Sequence, residues 1–186
     1  DILGRGADDV PYLVGGAGQD GYTNIISPPS DQMMQRGDIL MLDTGSTFDG
    51  YFCDFDRNFA FGRASDIARR AYDLLYQATE AGLKAARAGV TAVSLYRSMR
   101  AVLEGGGMAS QTVGRLGHGL GMQLTEWPSL RPTDQTVLQP GMVITLEPGA
   151  ELAPGRMMVQ EENIVIRESG AELLTRRAPR ELPVIR

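Results

Sequence analysis

The apolar positions change period along the chain, and the changes mark its elements. From Asp38 two β-prone runs, ILMLD and YFCDFDRNFAF, stand either side of TGSTFDG, which reads as a hairpin connection, so two paired antiparallel strands are expected. After Ser65 the spacing shifts to three and four. Ile67, Ala71, Leu74, Leu75, Ala78 and Leu83 then share one side of a helix that Ser65 can cap. Val93, Leu95, Met99 and Val102 mark a second helix, starting at Thr91 and stopped by Gly105-Gly106-Gly107, and the two make a helical hairpin. GMVITLEPG and RMMVQEENIVIRE return to strand patterning with LAPG as the turn between them, and AELLT is a short final strand. Residues 1 to 36, rich in Gly, Pro, Asp and Ser, predict irregular connection with one short strand around Tyr12 to Val14.

The 186 residues, 42% of them hydrophobic, suit one domain with a real core. A net charge of −5 without a dense Lys/Arg run argues against nucleic acid as a partner. No apolar run approaches the roughly 20 residues of a bilayer span, so no membrane segment is expected. Cys53 is the sole cysteine, which points to a reducing, cytoplasmic location. The chain begins at Asp1 with neither an initiator Met nor a leader, and a fragment or processed product is expected.

Four acids occupy positions where carboxylates are normally avoided: Asp43, Asp54, Glu147 and Glu161 sit on or at the ends of apolar strands. Asp43 and Asp54 are separated by about what a tight hairpin needs to set two side chains opposite each other. Buried together, such acids repel unless something cationic offsets them. Arg57 lies close enough in sequence to neutralise one. Two divalent cations would cancel four carboxylates, and His118, the sole histidine, fenced by Gly117, Gly119 and Gly121, would add a neutral nitrogen. Each residue alone also has a plainer reading. Asp43 is a turn former or cap, His118 a packed ring, Glu147 turn surface before Pro148-Gly149, and of Glu161 and Glu162 one must face away from the other in a strand.

LDTGSTFDGYFCDFDRNFAFG resembles the two-aspartate hairpin, GHGLG the histidine segment, and MVITLEPG and MVQEENIVI the two glutamate strands of the creatinase, aminopeptidase P, prolidase and methionine aminopeptidase superfamily. The likeness covers most of residues 10 to 175. It implies an α+β pita-bread fold, a curved antiparallel sheet with helical pairs. Residues 1–186 would then be part of a C-terminal catalytic domain whose first helical pair and N-terminal region precede Asp1. It also implies two divalent metal ions, drawn from Mn, Fe, Co or Zn, with Asp43 on one, Asp54 and Glu161 bridging, and His118 and Glu147 on the other. The implied activity is metal-dependent hydrolysis of a small peptide or amino-acid-like substrate by water acidified between the cations, with Xaa-Pro peptide cleavage as the default. Related enzymes often dimerise, so a homodimer is compatible with the resemblance.

Two departures qualify that activity. The histidine usual seven residues after the ligand histidine is here Thr125, followed by Glu126, and the upstream histidine position falls at or beside Ile26. Thr125 can donate a hydrogen bond but cannot become cationic, while Glu126 can bind a substrate ammonium. Asp56 stands where the family commonly has Thr in a D-x-T-R pattern. As a same-face neighbour of Asp54 it can be an outer acceptor, a sixth ligand, a general base, or an acid paired with Arg57. Asp56, Thr125 and Glu126 are therefore the candidates for catalysis beside the metals. Tyr51, Met122 and Trp127 are candidate pocket walls, and Cys53 a small apolar residue on the face opposite Asp54. The missing histidines keep two other functions open: a non-peptidase member, such as a creatinase-like C–N hydrolase or a dimethylsulfoniopropionate-lyase-like enzyme, and a pseudoenzyme scaffold that binds peptide or protein.

Overall fold

The computed structural model describes residues 1–109 and 114–186. Strand β1 (Asp9–Gln19) pairs antiparallel with β2 (Asp38–Phe48), and β2 with β3 (Tyr51–Phe61). The first of these is far longer than the short strand expected near Tyr12. Its glycines, which read as loop, are present because neighbouring backbone fills the space: a Cβ at Gly15 would overlap the Met41 carbonyl and one at Gly16 the Asn24 carbonyl. The expected TGSTFDG connection is likewise mostly strand. Only Asp49 and Gly50 turn, both with positive φ, as a two-residue hairpin matched to strand twist requires.

Helix α1 (Asp66–Ala85) starts at Ser65, whose hydroxyl accepts from the Ala68 N–H at 3.2 Å. Its buried face is Ala68, Ala71, Tyr72, Leu75, Ala78, Thr79 and Gly82. Ile67 falls outside this stripe and is 37% exposed, which corrects its expected place on the inner face. Helix α2 (Ala92–Gly105) packs antiparallel-hairpin fashion on α1, and Met99 lies where a Cβ at Gly82 would be, so the glycine permits the close approach. Neither helix is long and apolar enough to cross a membrane.

Beyond the helices come β4 (His118–Gly119), β5 (Glu126–Ser129), β6 (Val143–Leu146), β7 (Gly149–Ala153), β8 (Arg156–Val159), β9 (Glu162–Ile166), β10 (Ala171–Leu173) and β11 (Val184–Ile185). One sheet has the order β1-β2-β3-β11, a second β10-β9-β6-β4-β5, and β7-β8 is a separate hairpin. The two long strands expected from GMVITLEPG and RMMVQEENIVIRE are each interrupted, the first at Glu147-Pro148 and the second at Gln160-Glu161. Both glutamates thus stand at breaks, where the chain leaves one sheet and the side chain is freed from the ladder. The core of Ile39, Met41, Leu75, Leu95, Met99, Leu103, Ile144, Leu146 and Ile164 lies between the helical pair and the strands, with α1 against β6, β7 and β8.

Candidate metal centre

The hairpin register decides how the aspartates meet. Asp43 is directly opposite Asp56, while Asp54 faces Gly45, so Asp43 and Asp54 are diagonal rather than opposed as their separation suggested. The two-residue turn fixes this, since it pairs Phe48 with Tyr51 and sets every pair behind it. Asp43, Asp54 and Asp56 consequently share one face of the sheet.

Asp54 is anchored from three directions. Its N–H donates to Asn163 Oδ1 at 3.0 Å, its carbonyl accepts from Asn163 Nδ2, and its Oδ1 accepts from the Tyr12 hydroxyl. Tyr12 reaches it across Gly45, where a Cβ would overlap the tyrosine ring. Burial and the hydrogen bond to Asp54 hold the Tyr12 phenol well above its usual range, so it remains a donor. Sequence reasoning missed Tyr12. The signal available was a glycine in β2 opposite an aromatic residue in a neighbouring strand.

His118 is placed by its glycines. A Cβ at Gly117 would overlap the Thr145 carbonyl, and one at Gly119 the Trp127 carbonyl. The histidine N–H donates to Thr145 Oγ1 at 3.1 Å, and Nδ1–H donates to the Gly119 carbonyl at 2.9 Å. Nε2 is thereby the free nitrogen, 3.5 Å from Asp54 Oδ2. Asp54, His118 and Glu161, all buried, bring ligand-type atoms within 4.8 Å of one another. Asp43, Glu147 and Asp56 stand outside that tight triad but act on it electrostatically: the Glu161 carboxyl is held well above its usual range by burial, then by Glu147, Asp54, Asp56 and Asp43.

The remaining acids respond in the same way. Burial, then the Asp54 and Glu147 carboxylates, push Asp43 up to about 7. Burial, then Glu147 and Asp43, hold Asp56 well above the carboxylate range, and burial raises Glu147 although His118 and Arg115 pull the other way. Asp43 Oδ1, Asp56 Oδ1 and Glu161 Oε1 are buried with no hydrogen-bond partner. Among the described residues no Lys or Arg forms an ion pair with any of these five acids. Arg57, expected to neutralise Asp54 or Asp56, instead pairs with Glu162 at 3.0 Å and donates to the carbonyls of Asp56, Glu161 and Arg176. It braces the chain behind the site and forms no ion pair with the Asp54 or Asp56 carboxylate. Glu161 and Glu162 are both buried, Glu161 among the acids and Glu162 against Arg57, Thr175 and the Ala178 N–H, which satisfy it. Orphaned carboxylate oxygens with one free imidazole nitrogen are a donor set that fits divalent cations.

The catalytic candidates divide. Asp56 is buried in the cluster, Thr125 is exposed, and Glu126 accepts from the Gln123 N–H at 2.9 Å and closes against Gly121, an arrangement that staples the loop after His118. Tyr51, Met122 and Trp127 are exposed; the Phe52 N–H donates to the Gly121 carbonyl at 2.8 Å and joins the hairpin end to this loop. Cys53 is half-buried with its Sγ 3.2 Å from Ser46 Oγ.

The model of metallopeptidase family M24 matches residues 5–168. The Xaa-Pro dipeptidase of Pyrococcus furiosus is 34% identical over 147 residues, 79% of this chain and 42% of the relative. The probable dipeptidase PepE of Mycobacterium tuberculosis is 33% identical over 185 residues, 99% of this chain and 49% of the relative. Among solved structures, dipeptidase PepE from Mycobacterium ulcerans superposes with a TM-score of 0.90 at 34% identity, covering 98% of this chain and 49% of that one. The X-Pro aminopeptidase from Thermotoga maritima gives 0.90 at 30% identity, covering 99% and 51%. The chain thus spans about half the length of the relatives it matches.

Proposed function

We propose, from the premise that this chain belongs to metallopeptidase family M24, that it carries the metal centre of an enzyme hydrolysing small peptides, with Xaa-Pro dipeptides as the substrate class. The observation that carries the reading is the buried meeting of Asp54, His118 and Glu161 beside partnerless oxygens of Asp43 and Asp56. Asp43, Asp54, His118, Glu147 and Glu161 hold two divalent ions, and a donor set of mostly oxygen with one nitrogen suits manganese or iron better than zinc. Bound there, the ions supply Lewis acidity and an acidified water for amide cleavage.

The chain's own residues do the rest. Asn163 and Tyr12 fix Asp54, the Gly119 carbonyl fixes the tautomer of His118, and Arg57 fixes the backbone of Glu161. Glu126 holds the loop that carries Met122 and Thr125 at the exposed rim, where Thr125 has a hydroxyl to donate to substrate.

The test is a panel of Xaa-Pro and other dipeptides offered to the full-length protein with manganese. Amino-acid release that disappears on chelation and in His118→Ala is the expected result. Absence of cleavage across the panel, with manganese bound, would reject the peptidase reading. Thr125, an exposed residue that supplies no second imidazole beside His118, favours a second reading as a C–N hydrolase or lyase of the same fold. Urea or acrylate release from creatine-like or sulfonium substrates, without dipeptide cleavage, is its signature.

A further inference from the structure

The strand positions of Asp43 and Asp56 carry more than the five-residue set accounts for. In β3 the N–H groups of Phe52 and Asp54 point away from β2, to the Gly121 carbonyl and to Asn163 Oδ1. Positions 52, 54 and 56 are therefore the non-hydrogen-bonded pairs of the β2–β3 ladder, where facing residues approach most closely, at about 4.5 Å between Cα atoms. Asp56 faces Asp43 at such a position. Like charges set directly opposite each other destabilise a sheet, so this pair needs a reason.

Neither acid has an ordinary one. Asp56 is 2% exposed, and both its Oδ1 and that of Asp43 are buried without a hydrogen-bond partner. Arg57 spends its guanidinium on Glu162 and on main-chain carbonyls, the Asp56 carbonyl included, and makes no contact with the Asp56 carboxylate that would count as an ion pair. The buried Tyr22 hydroxyl donates to Asn58 Oδ1 and accepts from the Val159 N–H. A proton retained by one acid relieves the repulsion in the ion-free chain, whereas a cation between them does so with both acids ionised.

We propose that Asp56 is a sixth protein ligand of the metal centre, sharing with Asp43 the ion on that side. The inference rests on the two-metal reading above and extends it: five carboxylates, not four, surround the ions, which gives the Asp43 side an all-oxygen set and a bias towards hard cations such as Mn²⁺. It also gives a physical reason for a carboxylate where the resemblance leads one to expect threonine, whose hydroxyl is a far weaker ligand.

The experiment titrates Mn²⁺ into the metal-free full-length protein and into Asp56→Asn, following stoichiometry by calorimetry and free Mn²⁺ by electron paramagnetic resonance. The expected result is that one of two sites in the variant weakens by at least about tenfold. In parallel the unfolding temperature of the metal-free variant holds or rises, because a buried, unpartnered acid facing Asp43 has been removed, while its gain on adding Mn²⁺ shrinks. Two Mn²⁺ bound with the parent's affinity would overturn the inference and leave the two-metal reading standing. A parent that takes up no Mn²⁺ would overturn both. Should Asp56→Asn fail to fold, Asp56→Thr is titrated in its place and judged by the same two outcomes.

Discussion

Asn163 pairs its side-chain amide with both main-chain groups of Asp54, donating to the carbonyl and accepting from the N–H, across the boundary between the two sheets. Neither group of Asp54 is used by the β2–β3 ladder, so this one amide completes the edge of the strand that carries the central acid. Asn163→Ala leaves a buried N–H and a buried C=O unmet and is expected to cost about 2–4 kcal/mol in urea unfolding. An unchanged midpoint would show that water replaces the amide.

Arg57 and Glu162 form a pair with the glutamate fully buried. Arg57→Met strands that charge and should destabilise the protein by about 3–5 kcal/mol. Adding Glu162→Gln should recover part of the loss, because the uncompensated charge, not the missing contact, is the larger cost. A double variant no more stable than Arg57→Met alone would contradict this.

The acids set a pH dependence whose sign follows from their direction. Asp43 is raised to about 7, and Asp56, Glu147 and Glu161 are raised as well. A raised acid holds its proton more tightly folded than unfolded. In the metal-free protein these four groups therefore contribute stability at low pH that is lost as pH climbs, the Asp43 share between about 4 and about 7. Bound cations require the deprotonated forms and reverse the trend. The rise in unfolding temperature on adding Mn²⁺ should grow from about pH 5 to about pH 8, and a constant rise would count against a site built from these carboxylates.

Much of this centre is legible in the sequence, and what is not has a physical cause. Charged residues inside apolar runs mark Asp43, Asp54, Glu147 and Glu161 because burial makes them costly, whatever their partners. The facing of Asp43 with Asp56 is set by a turn of two residues, and a run such as TGSTFDG does not show where the ladder stops. Arg57 is adjacent to Asp56 in sequence, yet strand alternation sends it to the other face and on to Glu162. Tyr12 is hidden because its strand is written in glycines, which look like loop until the carbonyls of Met41 and Asn24 are seen to fill their Cβ positions.

Tyr12 donates to Asp54 Oδ1 and presents no nucleophile of its own at neutral pH. Tyr12→Phe keeps the ring against Gly45 and deletes only the hydroxyl. A loss of about tenfold in Mn²⁺ affinity is expected, with a cost of about 1–3 kcal/mol in the absence of metal as Asp54 Oδ1 loses its donor. Chelator competition measures the first and thermal unfolding the second.

Gly117 has φ of 140°, and its missing Cβ leaves room for the Thr145 carbonyl. Gly117→Ala should cost about 2 kcal/mol or more and displace the His118 ring. Metal affinity and unfolding temperature should both fall. A variant that loses neither would mean that the backbone here adapts without moving the imidazole.

The full engagement of Arg57 reaches beyond the site. With its one adjacent guanidinium committed to Glu162 and to carbonyls, no Lys or Arg among the described residues forms an ion pair with the central acids. Electrostatic self-repulsion then grows in the ion-free chain as these acids lose their protons, and a bound cation would offset it. On the two-metal proposal, supply of the inorganic ion would then set how much native protein exists, and starvation for it would register as a shortened lifetime of the polypeptide.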